Sequence, residues 1–491
     1  MFKMKKKVFF SRTAALLCAA VLLTALAGCG FVEIKYPQND TTGAPDTTPT
    51  PGTTPEAEPT TEPPHTVVYP DRKDDARGAL SGLPQIELSV SDLIIANSSA
   101  AARVIEPDAG DELNMARTER NKMACEKYNI ALTVTSADDS ELLRAFINAA
   151  AAGTYYADFA VVPAASAALY FGAGIASDLR KLPFYTVPGD PEKADGAGIA
   201  GSACYFYCGA AVADPDSMWA LYFNRTMAGD QLTDELYSAA LGGKFTWEEL
   251  FGAISRAKVA DDAAALLCGG KENSQFAADI ACATVGVSFV SHDVGKTPTL
   301  NYDAERLGAA GEIIKKLAAV MSTPDEGGTA RFAEGRGLFM FGTLSDMRAI
   351  YDKKVEWGIL PVPSAGADTG YVVPMDENRP VLVCTGGGAR TELDGAALAA
   401  IDAASGAWLS DAYADAALDS CLRDNNSYLT LRMIVSAEMK FDFAYLFAGA
   451  TDKLAGATYG AARKMLTDGT DLAAAVKSAK SAVDREISRL F

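Results

Sequence analysis

Between residues 84 and 491 the apolar positions fall into two alternating patterns. Short continuous runs such as Asp92-Leu93-Ile94-Ile95-Ala96 close on small polar residues, here Asn97-Ser98-Ser99, and read as buried strands. Ile130-Ala131-Leu132-Thr133-Val134 and Ala157-Asp158-Phe159-Ala160-Val161-Val162-Pro163 are two more. Between them the period changes to that of a helix. Glu119–Tyr128 is one such stretch, and the next sets Leu142, Leu143, Phe146 and Ile147 on one face before stopping at Gly153, a good C-terminal cap. Strand and helix alternating at this spacing predict a parallel α/β sheet.

The densest local signal lies between Trp219 and Leu250. Trp219-Ala220-Leu221-Tyr222-Phe223 is an aromatic strand run that stops at Asn224-Arg225. Thr246 then stands three residues before Glu249, the spacing of a capping box, and Trp247, Leu250, Phe251 and Ile254 share one helical face. Leu307, Ala310, Ile313, Ile314, Leu317 and Met321 mark a long amphipathic helix. From about Ala396 the chain is mostly helical, ending in Leu472, Val476, Ala479, Val483, Ile487 and Leu490.

The first 83 residues carry none of this patterning. Lys3, Lys5, Lys6, Lys7 and Arg12 precede an uncharged run, Thr13 to Gly28, that is short for a membrane span and has the basic flank of a signal peptide. It ends in Leu26-Ala27-Gly28-Cys29, which matches the bacterial lipobox, so residues 1–28 are expected to be removed and Cys29 lipidated. Thr and Pro dominate residues 36–64 and the only charges there are acidic, the composition of an extended tether, taken as residues 29–83. Loss of the leader takes the net charge from −19 to −24, which argues against a nucleic-acid partner.

The remaining 400 or so residues are too many for one core and fit two lobes. Cys125, Cys204, Cys208, Cys268, Cys282, Cys384 and Cys421 lack a paired CxxC spacing, so no zinc site is expected and buried free thiols are; a Cys204–Cys208 bridge is compatible with the spacing but not required by it.

No catalytic pattern competes. The only histidines are His65 and His292; a triad would have to use His292, which has no motif around it and reads as a surface residue. Gly196–Gly201 satisfies GxGxxG but follows the acidic loop Pro188–Glu192 rather than a buried strand, so a dinucleotide loop is not expected. Gly295-Lys296-Thr297 lacks the earlier glycine of a phosphate loop, its place being held by Val290. Gly386-Gly387-Gly388 reads as a tight turn beside a cleft or hinge. Sixty-three acids make carboxylate pairs uninformative. Neither enzyme activity, cofactor nor metal is expected.

The wording of several segments adds an identity. "LYFN-R … TWEEL" from Leu221 to Leu250 resembles the "YYNK … TWEEL" segment of extracellular solute-binding proteins, the receptors of ABC importers. "ERNKMACEKYNI" (119–130), "AD … G…SDL" (157–179), Phe332–Gly342 and Val355–Pro363 are similar to further family segments, in family order, across most of residues 92–365. The resemblance, to the family 1 or sugar type, implies an α/β fold of two lobes (type II periplasmic-binding-protein-like), each a mainly parallel sheet flanked by helices, with a helical C-terminal region. It implies lobe 1 over 84–215 and, after a return, 343–395; lobe 2 over 216–342; and C-terminal helices over 396–491 packing on both. The Trp219 strand would carry the chain into the second lobe, with hinges near 217–221 and 341–343 and a third near Gly386. The implied function is a lipid-anchored receptor on the outer face of the cell membrane, monomeric, delivering a small polar solute, a carbohydrate by default, to an ABC permease in the membrane. A surface lipoprotein of the same fold acting as sensor partner or adhesin is the alternative.

Ligands of open α/β sheets lie beyond the carboxyl ends of the strands. Counting from each strand gives Asn97, Ser98, Ser166, Ser217, Trp219, Thr343, Arg348 and Tyr371 as candidate ligand residues, and the resemblance adds Glu272, Asn273 and Phe276 in the place of the family's ligand loop. One departure matters. Sugar receptors of this family carry an aromatic ring after the return strand, where this chain reads Gly342-Thr343-Leu344-Ser345, so a peptide or another polar solute stays open beside a sugar.

Overall fold

The computed structural model describes residues 34–35, 73–107, 110–187, 196–259, 261–269, 275–322, 327–386 and 390–491. The expected leader, Cys29, and most of the Thr/Pro stretch lie outside the described residues, as do Glu272 and Asn273. Two sheets organise the chain. The larger has the order Ile34–Lys35, Ala131–Ala137, Asp92–Ser98, Phe159–Pro163, Pro380–Cys384, Phe206–Tyr207; the smaller has the order Trp357–Leu360, Trp219–Asn224, Gly337–Thr343, Ala264–Cys268.

Both sheets are mixed rather than mainly parallel. Asp92–Ser98 runs parallel to Ala131–Ala137 and Phe159–Pro163, and Ala264–Cys268 runs parallel to Gly337–Thr343. Pro380–Cys384 is antiparallel to Phe159–Pro163, and Trp219–Asn224 is antiparallel to both its neighbours. The reversal has a topological cause. A strand delivered by a local helix points its carboxyl end at the space between the sheets, whereas a strand arriving from the other sheet enters at that same end and runs the opposite way. Trp219 and Pro380 are such entry points, opposite Thr343 and Pro163 respectively.

The chain leaves the larger sheet after Tyr207 and returns at Pro380. Trp357–Leu360 joins the smaller sheet beside Trp219–Asn224, so the chain does not return at 343 as expected. Gly386 follows Cys384 at the end of the larger sheet remote from the gap, which removes it as a cleft or hinge residue. The folded body also begins before 84: the helix Lys73–Gly82 buries Ala76 and Leu80 and packs on the helix Thr391–Ser420. That long helix lies along Glu112–Tyr128 and kinks at Gly406, whose φ of 38° and ψ of −175° suit glycine alone. Beyond the kink Asn425–Val435 covers Trp357–Leu360, and Tyr459–Asp468 packs on Phe276–Thr284 and Ala304–Val320, so the C-terminal helices touch both halves.

Local chemistry accounts for the elements. Asn224 ends its strand and accepts from the amide of Met227, starting the next helix. Thr246 Oγ1 accepts from Glu249 N at 3.3 Å, the forward arm of the expected capping box. Gly153 closes Asp139–Ala152 in the left-handed region. All six residues of Trp219–Asn224 are buried, Tyr222 and Phe223 fully, and each large side chain of this kind contributes roughly 1.5–3 kcal/mol of hydrophobic stabilisation.

Three motif readings meet their outcome here. His292 is buried, not on the surface: its ring stacks on Phe443 at 4.9 Å and Nδ1 lies 3.0 Å from the Val290 carbonyl, because the chain folds under the Phe443–Ala448 helix. Gly196–Gly201 builds a tight hairpin, Ile199–Ala200 with Ala203–Cys204; Gly201 takes a φ of 60°, and a Cβ on Gly198 would strike the Phe206 carbonyl. Cys204 and Cys208 are free thiols, both buried.

Candidate functional site

The carboxyl ends of Ala264–Cys268 and Gly337–Thr343 meet the start of Trp219–Asn224 at one edge of the smaller sheet. Facing them is the segment that re-enters the larger sheet at Pro380. Between the two lies a cavity of about 450 Å³, lined by Arg103, Asp216, Ser217, Trp219, Gly269, Thr343, Ser345, Asp346, Asp376 and Asn378. Among the described residues none of the lining is His or Cys. Their hydroxyls, carboxylates, amide and guanidinium point to hydrogen-bonded capture of a polar molecule.

Most of these polar groups are held in place. Asp214, fully buried, accepts from Arg103 Nε at 3.1 Å and Nη2 at 2.5 Å, and from Arg117 at 3.4 Å. Asp216 accepts from Arg348 at 2.9 Å and from the Tyr413 hydroxyl at 2.8 Å. Arg103 thus comes from the larger-sheet half, Arg348 from the smaller, and the acids between them from the connecting segment. Asp346 accepts from the Thr343 amide and the Thr329 hydroxyl, both at 2.9 Å, and caps the turn after the strand; burial still pushes its carboxyl above the usual range. Burial does the same to Asp376, whose Oδ1 accepts from Asn378 N at 2.8 Å.

Among the described residues Trp219 forms the aromatic wall. It is 2% exposed, stacks on Phe276 with ring centroids 5.5 Å apart, and separates the cleft from a second cavity of about 180 Å³ that reaches Asp279, His292, Tyr445 and Tyr459.

The expected ligand residues divide. Ser217, Trp219 and Thr343 line the cavity, Phe276 backs Trp219, and Arg348 reaches it through Asp216. Asn97, Ser98, Ser166 and Tyr371, expected as ligand residues, do not line it. Asn97 shares the sheet face of Leu93 and Ile95 and is fully buried. Ser98 and Ser166 both donate to Asp139 at the start of its helix, the second at 2.8 Å, so their hydroxyls are spent within the larger-sheet half. The Tyr371 hydroxyl accepts from Phe245 N at 2.8 Å and fastens the turn before the Trp247 helix. Asp376, Asn378 and Arg103 escaped the strand count. The first two precede the Pro380 strand, whose entry from the other sheet its apolar run does not reveal, and Arg103 sits a turn beyond the Ser98 loop.

No family model matches this chain, and no curated protein matches it. Solved structures resemble it over about four fifths of its length. The GacH receptor of Streptomyces glaucescens, crystallised free and with acarbose, is 14% identical, covering 82% of this chain and 99% of its own, with a TM-score of 0.47. The cyclic alpha-maltosyl-1,6-maltose binding protein of Arthrobacter globiformis is 15% identical, covering 81% and 99%, with a TM-score of 0.49. The maltose/maltodextrin-binding domain of Bdellovibrio bacteriovorus, bound to maltotriose, is 15% identical, covering 81% and 100%, with a TM-score of 0.41.

Proposed function

We propose that this chain is an extracellular solute-binding receptor that captures a small polar solute, a carbohydrate first, in the cleft at Trp219. The observation that carries the reading is the cavity itself: Arg103, Ser217, Thr343 and Asp376 converge from two α/β halves on a polar space large enough for a small solute. The ordered segment matches to solute-binding proteins agree with it, since Leu221–Asn224 belongs to the strand whose first residue, Trp219, lines the cavity. Carboxylates of this kind accept from sugar hydroxyls, while hydroxyl, amide and guanidinium groups donate to them.

In this reading the leader directs export and is removed, lipidated Cys29 anchors the protein on the outer face of the cell membrane, and residues 36–64 tether it. Ligand closes the two halves about the connecting segments near 217 and 361–379 and about Gly406, and the closed form delivers its ligand to an ABC permease carried on separate chains. A thermal-shift screen of the mature chain against mono- and oligosaccharides, peptides, amino acids and polyamines tests it. A ligand at one hundred times its Kd adds about 2.7 kcal/mol of stability. A saccharide hit abolished by Ser217→Ala with Asp376→Ala supports the receptor. Silence across the panel, with the fold intact, sinks it.

A further inference from the structure

Arg463 stands on the helix Tyr459–Asp468, far along the chain from every cleft residue, yet two lines of contact lead from it to the cleft. Its guanidinium carbon lies 4.2 Å from the Phe276 ring centroid. Phe276 in turn stacks on Trp219 at 5.5 Å with an interplanar angle of 26°. The second line runs through Glu377, which accepts from Arg463 Nη2 at 3.0 Å and lies between Asp376 and Asn378, both lining the cavity. Arg463 is itself fixed by Asp279, with Nε 3.1 Å from each carboxylate oxygen and Nη2 2.5 Å from Oδ2, and Asp279 is further held by the Tyr445 hydroxyl at 2.9 Å.

Trp219 is nearly buried, yet it borders both the cleft and the 180 Å³ cavity, so part of its indole faces open space instead of packed neighbours. Among the described residues Phe276 is its one ring contact. Phe276 opens its helix, and the Arg463 guanidinium lies over its ring.

We infer that Arg463 is a positioning residue of the cleft, setting the Trp219 wall through Phe276 and the Asp376–Asn378 rim through Glu377. This rests on the reading of that cleft as the ligand site. A planar guanidinium does both tasks at once, stacking on the ring while its edge serves two carboxylates. A lysine ammonium keeps the charge and loses the stack.

The test is fluorine NMR of the full chain labelled with 5-fluorotryptophan, without ligand. The protein has four tryptophans, Trp219, Trp247, Trp357 and Trp408, and Trp219→Phe assigns the relevant line. Arg463→Lys, which keeps a partner for Asp279, is expected to melt close to the parent while the Trp219 line moves and the other three stay. Arg463→Met is expected to move the same line and to lower the melting temperature as well, because Asp279 loses its cation. A Trp219 line that stays in place in the lysine variant overturns the proposal, and so does movement of all four lines, which marks a general scaffold role. Maltotriose titration of the same proteins examines the underlying reading. Binding weakened about tenfold by Arg463→Lys agrees with both. No binding by the parent counts against the carbohydrate reading and leaves the Trp219 line to decide on Arg463.

Discussion

Arg348 donates to Asp216 at 2.9 Å, joining the smaller-sheet half to the segment that comes from the larger one. The pair sits at the mouth of the cleft, with the arginine half exposed and the aspartate nearly buried. Exposed arms of this kind add little stability, roughly 0–1 kcal/mol. Arg348→Ala is therefore expected to melt within a few degrees of the parent and to widen the angle between the halves. Small-angle scattering of the ligand-free protein reads this as a larger radius of gyration; an unchanged radius would show that the pair does not restrain the halves.

The two carboxyls Asp158 and Asp394 lie together at the far end of the larger sheet. Arg390 engages Asp158 at 2.6 Å, while burial first, and then the Asp158 charge, push the Asp394 carboxyl up to about 8. The folded state thus holds a proton that the unfolded chain releases near pH 4. This contribution is complete below about pH 4 and is lost as the pH rises through about 8. Asp279, raised to about 7 by burial, works in the same direction. Asp394→Asn keeps the shape and a donor toward Asp158, so urea midpoints measured from pH 5 to 8 should fall less steeply than in the parent. Parallel curves would refute the shared proton.

Gly358 lies in the Trp357–Leu360 strand against the crossing strand. A Cβ there would come within 2.3 Å of the Tyr237 hydroxyl and 2.4 Å of the Phe223 ring. Both rings are buried, so neither can swing clear. Gly358→Ala is expected to cost about 1–3 kcal/mol by overpacking, read as a lower denaturant midpoint with an unchanged slope.

Gly406 tests the kink. Its φ of 38° with ψ near 180° is closed to side chains, and the helix turns there from Glu112–Tyr128 toward the Tyr413–Asp216 contact. Gly406→Ala is expected to cost about 1–3 kcal/mol and to weaken ligand binding through Tyr413 and Asp216, which calorimetry can separate from the stability loss. Full affinity in a destabilised variant would leave the kink a purely structural device.

What could be read from the chain alone is what neighbours in sequence decide. The Phe159–Pro163 run is buried at every position, Gly153 ends its helix in the left-handed region, and Asn224 both ends a strand and caps a helix, because hydrophobic period and cap chemistry act within a few residues. The strand Glu438–Lys440 was hidden: three residues carry no period, and it exists only because Val372–Pro374 offers a parallel edge. The sense of Pro380–Cys384 was equally hidden, since either direction satisfies the same apolar run. The site follows the same division. Ser217, Trp219 and Thr343 were found by counting from strand ends, whereas Ser98 and Ser166 looked equivalent until Asp139 claimed both hydroxyls. Asp376 meets Ser217, and Arg463 meets Glu377 and Asp279, only through contacts between segments some 80 to 180 residues apart. Periodicity and caps are short-range and written in adjacent residues; pairing sense, shared partners and a cavity wall depend on which distant segments close on one another, and that was decided by the packed core.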